Sequence, residues 1–446
     1  MPWRASLPVA SHIVLRNAAV PGCLFSDQIE GAQPDREGLV RADITLLDGR
    51  IAIITTHDTR RAPANVATMD LDGNQVWPCF VDMHTHLDKG HIWPRADNLD
   101  GTFASALATA DADRTARWSA DDVAARMSFG LRAAHAHGTA AIRTHLDSSS
   151  PQHRVTWPVF ARLRDEWRGR ISLQAVSILP LEHFQGSAGD ELADCVAAHG
   201  GILGSVVLPS ATLDRRFDRI FELAAARGLD LDFHADETGE ANAAGLRAIA
   251  QATLRHRFDG KVVVGHCCSL AVQPADAVEQ TLDLVAAAKL AIVSLPMCNL
   301  YLQDRSPRRT PRWRGVTLLH EIRARSIAVA IASDNCRDPF YGYGDHDMFE
   351  VFTQAARIAH LDRPVGPWPA TVTQTPAMIM GLSQYGQLRA DAPADLVLFN
   401  ARSYSELLSR PQSDRVVLRA GKGIDTTLPD YRELDGLMAR APDPDG

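Results

Sequence analysis

His84 and His86 are separated by one residue. On an extended strand that spacing turns both imidazoles to one face, where they can share a divalent cation at about 2.0–2.1 Å. Read singly, each candidate has a plainer use. An HxH pair can be exposed or hydrogen-bonded, His234 can simply end a buried strand, and Asp334 can cap a helix. Jointly, His84, His86, His234 and Asp334 make a three-nitrogen, one-oxygen donor set with positions left open for water. Glu237, three residues past His234, and His266 are the groups placed to move protons around such a centre. Of 17 histidines in 446 residues, four fall on these few segments, so the clustering carries more weight than any one of them.

Positioning such residues needs short strands with their ends at one rim. Eight apolar runs are spaced along the centre of the chain: 76–84, 139–145, 171–179, 202–208, 229–234, 261–266, 291–295 and 327–333. Helical stretches lie between them, such as 121–137, for which Ser119 is the expected N-cap, and 218–227. Alternation of this kind over about 300 residues predicts an α/β fold, a (β/α)8 TIM barrel, whose working residues stand at the C-terminal strand ends. The candidates sit there: Met83-His84-Thr85-His86-Leu87-Asp88, His234-Ala235-Asp236-Glu237, Gly265-His266 and Ser333-Asp334-Asn335. No glycine-rich phosphate loop follows the first strand, which removes the main nucleotide-binding alternative. Both termini read as β-rich: 12–17, 42–47 and 50–55, with Asp48-Gly49 as a hairpin turn, then 386–388, 395–399 and 415–419. The expected organisation is a small composite β-sandwich from 1–75 and 385–446 around a barrel at 76–384.

Composition narrows the class further. With 46% hydrophobic and 22% charged residues the chain is globular, and a net charge of -8 lacks the positive footprint that nucleic acid or an anionic membrane requires. Seven scattered cysteines, none in a CxxC pair, imply neither a disulfide framework nor a structural zinc site. Cys267 and Cys268 read as small buried residues. His12 and Arg16 interrupt any signal-peptide core, and no segment is apolar enough to span a membrane, so the expected compartment is the cytoplasm. Partners reduce to a small-molecule substrate and, at most, further copies of the chain.

The motifs also resemble a known family. HTHLD at 84–88, HADE at 234–237, GH at 265–266 and SD at 333–334 are similar to the metal and catalytic motifs of amidohydrolases, the cytosine deaminase branch in particular. Gly101-Thr102-Phe103, Arg143-Thr144-His145-Leu146-Asp147, Asn299-Leu300-Tyr301-Leu302-Gln303 and Asp338-Pro339-Phe340-Tyr341 extend the resemblance, in the same order, over most of the chain. The resemblance implies that His84, His86, His234 and Asp334 hold one divalent metal ion, Zn2+ or Fe2+. Relatives with two metals need a carboxylated lysine on a middle strand, and no lysine occurs between 90 and 260. A bound ion lowers the pKa of water from 15.7 toward about 7, supplying hydroxide at neutral pH. His266 and Asp334 would orient that water and take its proton. Glu237 would protonate a ring nitrogen of the substrate and pass a proton to leaving ammonia.

The implied activity is hydrolytic deamination of a small aminated N-heterocycle. Two departures separate the chain from a cytosine deaminase. Leu181 stands where that branch has a base-binding glutamine, and Asn335 where it has a second aspartate. A site that loses the amide facing a buried base edge gives up about 1–3 kcal/mol per unpaired group, which argues against cytosine itself. An isocytosine-like pyrimidine, a creatinine-like ring or an aminotriazine fits the altered wall. Leu181, Asn335, Lys89 and Phe340 are the candidate substrate contacts, with Tyr341 beside Phe340 and His145 as a supporting group at the second strand end. Two alternatives remain open: cleavage of a ring amide or an N-substituted amine by the same groups, and an inactive binding protein on the same scaffold.

Overall fold

The computed structural model describes residues 10–59, 66–210 and 212–439. The parts of the expected terminal sandwich at 1–9, 60–65 and 440–446 lie outside them. In chain order the strands are β1 (His12–Pro21), β2 (Leu39–Leu47), β3 (Arg50–Thr56), β4 (Ala67–Asp70), β5 (Val76–Pro78), β6 (Phe80–Thr85), β7 (Thr139–Asp147) and β8 (Ser172–Ile178). They continue with β9 (Leu203–Val207), β10 (Leu231–Ala235), β11 (Val262–His266), β12 (Ala291–Ser294), β13 (Val329–Ile331), β14 (Leu396–Leu398), β15 (Val416–Arg419) and β16 (Lys422–Gly423). The helices used below are α1 (Phe103–Arg117), α2 (Ala120–Ala136), α3 (His153–Glu166), α4 (Ser187–Ala198), α5 (Leu213–Arg227), α6 (Gly245–Arg255), α7 (Ala275–Ala287) and α8 (Pro296–Leu302). The chain divides into two compact units, one of 1–82, 134–141 and 347–428, the other of 83–133, 142–346 and 429–446.

The first unit holds two four-stranded sheets, ordered β3-β2-β1-β4 and β16-β15-β14-β5. The β2–β3 hairpin turns on Asp48 and Gly49 at φ 48° and 80°, the left-handed pair that a tight two-residue hairpin demands and that an Asp-Gly sequence supplies. Two expectations change here. The run 76–84 is not one strand: β5 pairs antiparallel with β14, and the chain changes sheets at Cys79. Cys79 N donates to Asp395 O, whereas Phe80 N donates to Gly138 O. Pro78, with no N–H to give, ends the first pairing. Residues 386–388 form no strand; Leu388 makes a single bridge to Phe25.

In the second unit β9 to β13 form one parallel sheet in the order β13-β12-β11-β10-β9. A separate three-stranded sheet has the order β6-β7-β8. Bridges Val176↔Ile202 and Pro180↔Val206 connect the β8 and β9 segments, and Thr85↔Asp334 joins β6 to the turn after β13. Of these strands β10 to β13 are continuously buried, as parallel strands covered on both faces must be, and β6 and β7 are buried throughout as well. Helices occupy the connections. Thr102 caps α1 by accepting from Ser105 N, and Ser119 Oγ accepts from Asp122 N at 3.2 Å at the head of α2. Gly228, left-handed at φ 64°, ends α5. Phe217 and Phe221 of α5 pack on Phe233 of β10 with ring centroids 5.8 and 6.3 Å apart, and all three are buried. Each such ring stabilises by about 1.5–3 kcal/mol, so the residue after Phe233, His234, stands on a fixed strand. Among the described residues no helix is long and apolar enough to cross a membrane.

Candidate metal centre and active site

The strand ends bring the four proposed ligands together. His84 on β6 and His234 on β10 approach to 3.0 Å between their Nε2 atoms, and His234 Nε2 lies 3.4 Å from His86 Nε2. Asp334 Oδ1 lies 3.2 Å from His86 Nε2 and 3.6 Å from His84 Nε2. Donors at about 2.0–2.1 Å from a tetrahedral ion stand about 3.3 Å from one another, so these spacings fit one cation among four donors. The chemistry fits as well. Burial, reinforced by neighbouring histidines, pushes His84 and His234 well below the ordinary imidazole value; burial and the Lys89 charge do the same to His86. All three rings are therefore disposed to the neutral form, the form in which an imidazole nitrogen can ligate a cation. Neither carboxylate oxygen of buried Asp334 receives a hydrogen bond among the described residues.

Backbone geometry sets these groups. Asp334 is left-handed at φ 65°, its N–H donates to His84 O at 2.8 Å, and its carbonyl accepts from Thr85 Oγ1 at 2.8 Å. Gly265 of β11 is glycine for a spatial reason: a Cβ there would lie 2.9 Å from His84 Cε1. His266, left-handed at φ 69°, follows at the strand end.

Glu237 and His266 stand beside the four donors and are joined by Asn299 of α8. The Asn299 Nδ2 donates to Glu237 Oε1 at 3.1 Å and lies 2.9 Å from His266 Nδ1. With that amide nitrogen as donor, His266 accepts at Nδ1 and keeps its proton on Nε2. Burial first, then the Asp334 charge, raises the Glu237 carboxyl well above the ordinary carboxylate value. Burial lowers His266 to about 4, so it is a neutral ring at pH 7. A carboxyl shifted in this direction favours its acid form, the form that can donate a proton.

Five of the six residues, His86, His234, Glu237, His266 and Asp334, line a pocket of about 800 Å3, mouth included; His84 lies behind them against His234. Three of the four expected substrate contacts line it: Lys89, Asn335 and Phe340. Lys89 Nζ sits 3.0 Å from Asp147 Oδ1 and 5.1 Å from the Phe340 ring centre. Asn335 Nδ2 donates to Asp338 Oδ2 at 2.7 Å. Leu181 is not part of the lining. β8 ends at Ile178, so Ile178, Leu179 and Pro180 form that wall, while Leu181 opens a short 3-10 turn and is buried. Tyr341 packs on the buried cluster of Ala106, Ala110, Cys298, Leu302 and Phe340. His145 lies nearer the centre than its strand position alone indicates, its ring centre 3.9 Å from that of His84 and its Nε2 3.4 Å from Asp232 Oδ1. Sequence reasoning gave no role to Asn299, Phe103, Leu107, Arg114 or Val206. Asn299 and Phe103 belong to motifs already noted, and Leu107, Arg114 and Val206 reach the pocket from helix α1 and strand β9 without a motif of their own.

A site of this composition on paired parallel strands defines a hydrolase of C–N bonds that works with a divalent metal. The chain belongs to the amidohydrolase family, whose model matches residues 177–425. It is 53% identical over 434 residues to a pterin deaminase of Rhizobium rhizogenes, covering 97% of this chain and 98% of that one. It is 24% identical to an N-isopropylammelide isopropyl amidohydrolase of Pseudomonas sp., over 75% of this chain and 82% of the relative. Among solved structures, a 5-methylcytosine deaminase of Klebsiella pneumoniae bound to 5-fluorocytosine superposes with TM-score 0.77 at 23% identity, covering 93% of this chain and 97% of the other. The likeness to that structure is one of fold.

Proposed function

We propose that this protein is a mononuclear metal-dependent deaminase that hydrolyses the exocyclic C–N bond of a pterin, a 2-amino-4-oxopteridine, and releases ammonia. The observation that carries it is the cluster of His84, His86, His234 and Asp334 beside Glu237 and His266 at one pocket, in a chain 53% identical over 434 residues to a pterin deaminase. His84, His86, His234 and Asp334 would hold the cation, Zn2+ or Fe2+, since nitrogen and carboxylate donors suit both. When bound, it supplies the Lewis acidity that makes a water nucleophilic at neutral pH.

The chain's own residues do the rest. Glu237, protonated through burial, gives its proton to the ring nitrogen beside the amine-bearing carbon, which prepares that carbon for attack. His266, with its proton on Nε2, orients the water, and Asp334 takes the proton the water loses. That proton then passes to the amine, the C–N bond breaks as the new hydroxyl gives its proton back to Glu237, and ammonia leaves while the ring keeps the oxygen as a carbonyl. Phe340, with Lys89 above its ring, offers a face and a charge to a flat heterocycle bearing a carbonyl. Asn335 takes part through Asp338, and Leu181 acts only from behind the pocket wall.

We also read the eight strands β6 to β13, with bridges between their two sheets on both sides, as a (β/α)8 barrel that opens at Phe80 and not at 76, since β5 pairs with β14. The two four-stranded sheets of the first unit, β5 included, we read as the expected sandwich.

The test is ammonia release by metal-loaded protein from pterin, cytosine, isocytosine, creatinine and aminotriazines. Pterin should be turned over fastest. Isopropylamine release from an N-isopropyl triazine, with pterin untouched, would replace this proposal by cleavage of an N-substituted amine. Bound metal with no turnover of any compound would favour the inactive scaffold.

A further inference from the structure

The second unit buries another set of nitrogen and sulfur donors, outside the catalytic pocket. His91, Cys336 and His346 each offer one ligand atom, and these atoms all lie within 4.8 Å of one another. The three residues are 1%, 2% and 3% exposed. His91 comes from the loop after β6, and its backbone N–H donates to Cys336 O at 3.0 Å. Cys336 and His346 come from the segment after β13.

A histidine kept only for packing still has to satisfy one N–H and one lone pair. His91 satisfies neither: both ring nitrogens are buried without a hydrogen-bond partner among the described residues. Phe129 stands edge-on to that ring at 4.7 Å, so carbon borders it there. His91 and His346 are both left-handed, at φ 67° and 54°, a conformation that side-chain-bearing residues hold only where the surroundings enforce it. The interior of helix α2 also yields to this cluster. Gly130 lies there, and a Cβ on it would sit 2.9 Å from His346 Nε2. Glycine is unfavourable inside a helix, and here its absent side chain is the room the imidazole occupies.

We propose that His91, Cys336 and His346 bind a soft, thiophilic metal ion at a site distinct from the catalytic one. Two imidazoles and a thiolate select Zn2+ or Cu+ over the hard cations Mg2+ and Ca2+. Binding exchanges the thiol proton for the metal–sulfur bond, so one proton is released per ion bound. The Arg126 and Arg337 charges face His91, whereas Asp345 and Asp338 face Cys336, so the site is not uniformly cationic. Its consequence is local bracing. His346 Nδ1 is 3.5 Å from Thr85 Oγ1, the hydroxyl that holds the Asp334 carbonyl, and Cys336 is two residues beyond Asp334. An ion here would tie the loop after β6 to the segment that carries Asp334.

The experiment uses the full chain, stripped of metal and titrated with Co2+. Wild type should bind two ions and develop the near-ultraviolet sulfur-to-cobalt charge-transfer band. The catalytic donors are nitrogen and oxygen, so the band reports the second site whatever the substrate proves to be. Cys336→Ser and His91→Phe should each lose the band and one ion, while His234→Ala and Cys298→Ala keep the band. If Cys336→Ser does not fold, wild-type stoichiometry and His91→Phe decide. One ion per chain with no sulfur band in wild type overturns the proposal. So does a band that survives in His91→Phe or disappears in Cys298→Ala. Competition against chelators, with Zn2+ in one arm and anaerobic Cu+ in the other, identifies the ion: retention that depends on Cys336 supports the site, and retention of neither ion overturns it.

Discussion

Replacing Glu237 with glutamine removes a transferable proton and keeps the side chain's shape. Oε1 of the glutamine can still accept from Asn299 Nδ2, which now meets Glu237 at 3.1 Å, so little packing or hydrogen bonding is lost. The chemical loss is larger. Burial, with Asp334 adding to it, raises the Glu237 carboxyl well above the ordinary carboxylate range, which favours the acid form that the proposed step uses. General acid catalysis by a positioned group contributes about 10²–10⁴ in rate, or about 2.7–5.5 kcal/mol of transition-state stabilisation at 1.36 kcal/mol per tenfold. Glu237→Gln should therefore lower kcat by about two to four orders of magnitude in an ammonia-release assay on pterin, with metal content unchanged. The pH profile carries the same information. Because the acid form is required, wild-type activity should fall as pH rises through the raised Glu237 value, and the variant's residual rate should lack that limb. Near-normal turnover by Glu237→Gln with full metal occupancy would refute the role of Glu237 as proton donor.

Three further outcomes follow from the geometry. His234→Ala should lower metal content at the catalytic site, since it removes the imidazole that meets both His84 and His86; full occupancy by elemental analysis would take His234 out of the ligand set. Gly265→Ala should place its methyl 2.9 Å from His84 Cε1, costing about 1–3 kcal/mol of stability and weakening metal binding together; thermal melting and metal titration check both, and unchanged affinity would count against His84 as a ligand. Asp338 gives a pH signature of stability. Burial pushes its carboxyl up to about 7 against the pull of Lys89, Asn335 and the Phe340 and Tyr341 amides. Between pH of about 4 and 7 the unfolded chain has released this proton while the folded chain keeps it, so its contribution to stability falls as pH rises through that window and levels off above it. Denaturant melts across that range should show Asp338→Asn with a shallower decline than wild type, and parallel curves would contradict the assignment.

The candidate cluster was legible in the sequence because residues that each have a plainer use alone recur together at strand ends. Three histidines and an aspartate at the ends of apolar runs are costly to bury unless something holds them, and a period of two in a strand fixes which face His84 and His86 share. The same period explains the failure at Leu181. One residue of slack in placing the end of β8 reverses a side chain's direction, and the wall is made by Ile178, Leu179 and Pro180 while Leu181 turns into a 3-10 segment. The split of 76–84 into β5 and β6 was hidden for a related reason. An apolar run records burial and not which sheet a residue pairs with, and the change of partner at Cys79 is visible only in its backbone hydrogen bonds.

Asn299 shows where local pattern gives out altogether. Its amide couples Glu237 to His266, yet it comes from a short helix 62 residues after one and 33 after the other. Nothing in spacing or propensity marks an asparagine at that place as functional, because its role is defined by two side chains that only the fold brings within reach. His91 makes the opposite point. Its neighbourhood, Lys89-Gly90-His91, reads as an ordinary loop, and what marks it is that both of its buried nitrogens lack a hydrogen-bond partner among the described residues while Cys336 and His346 stand within 4.8 Å. Residues that carry their own chemistry to a strand end can be found from the sequence; residues whose chemistry is conferred by what surrounds them have to be found from unmet hydrogen-bonding capacity in the folded chain.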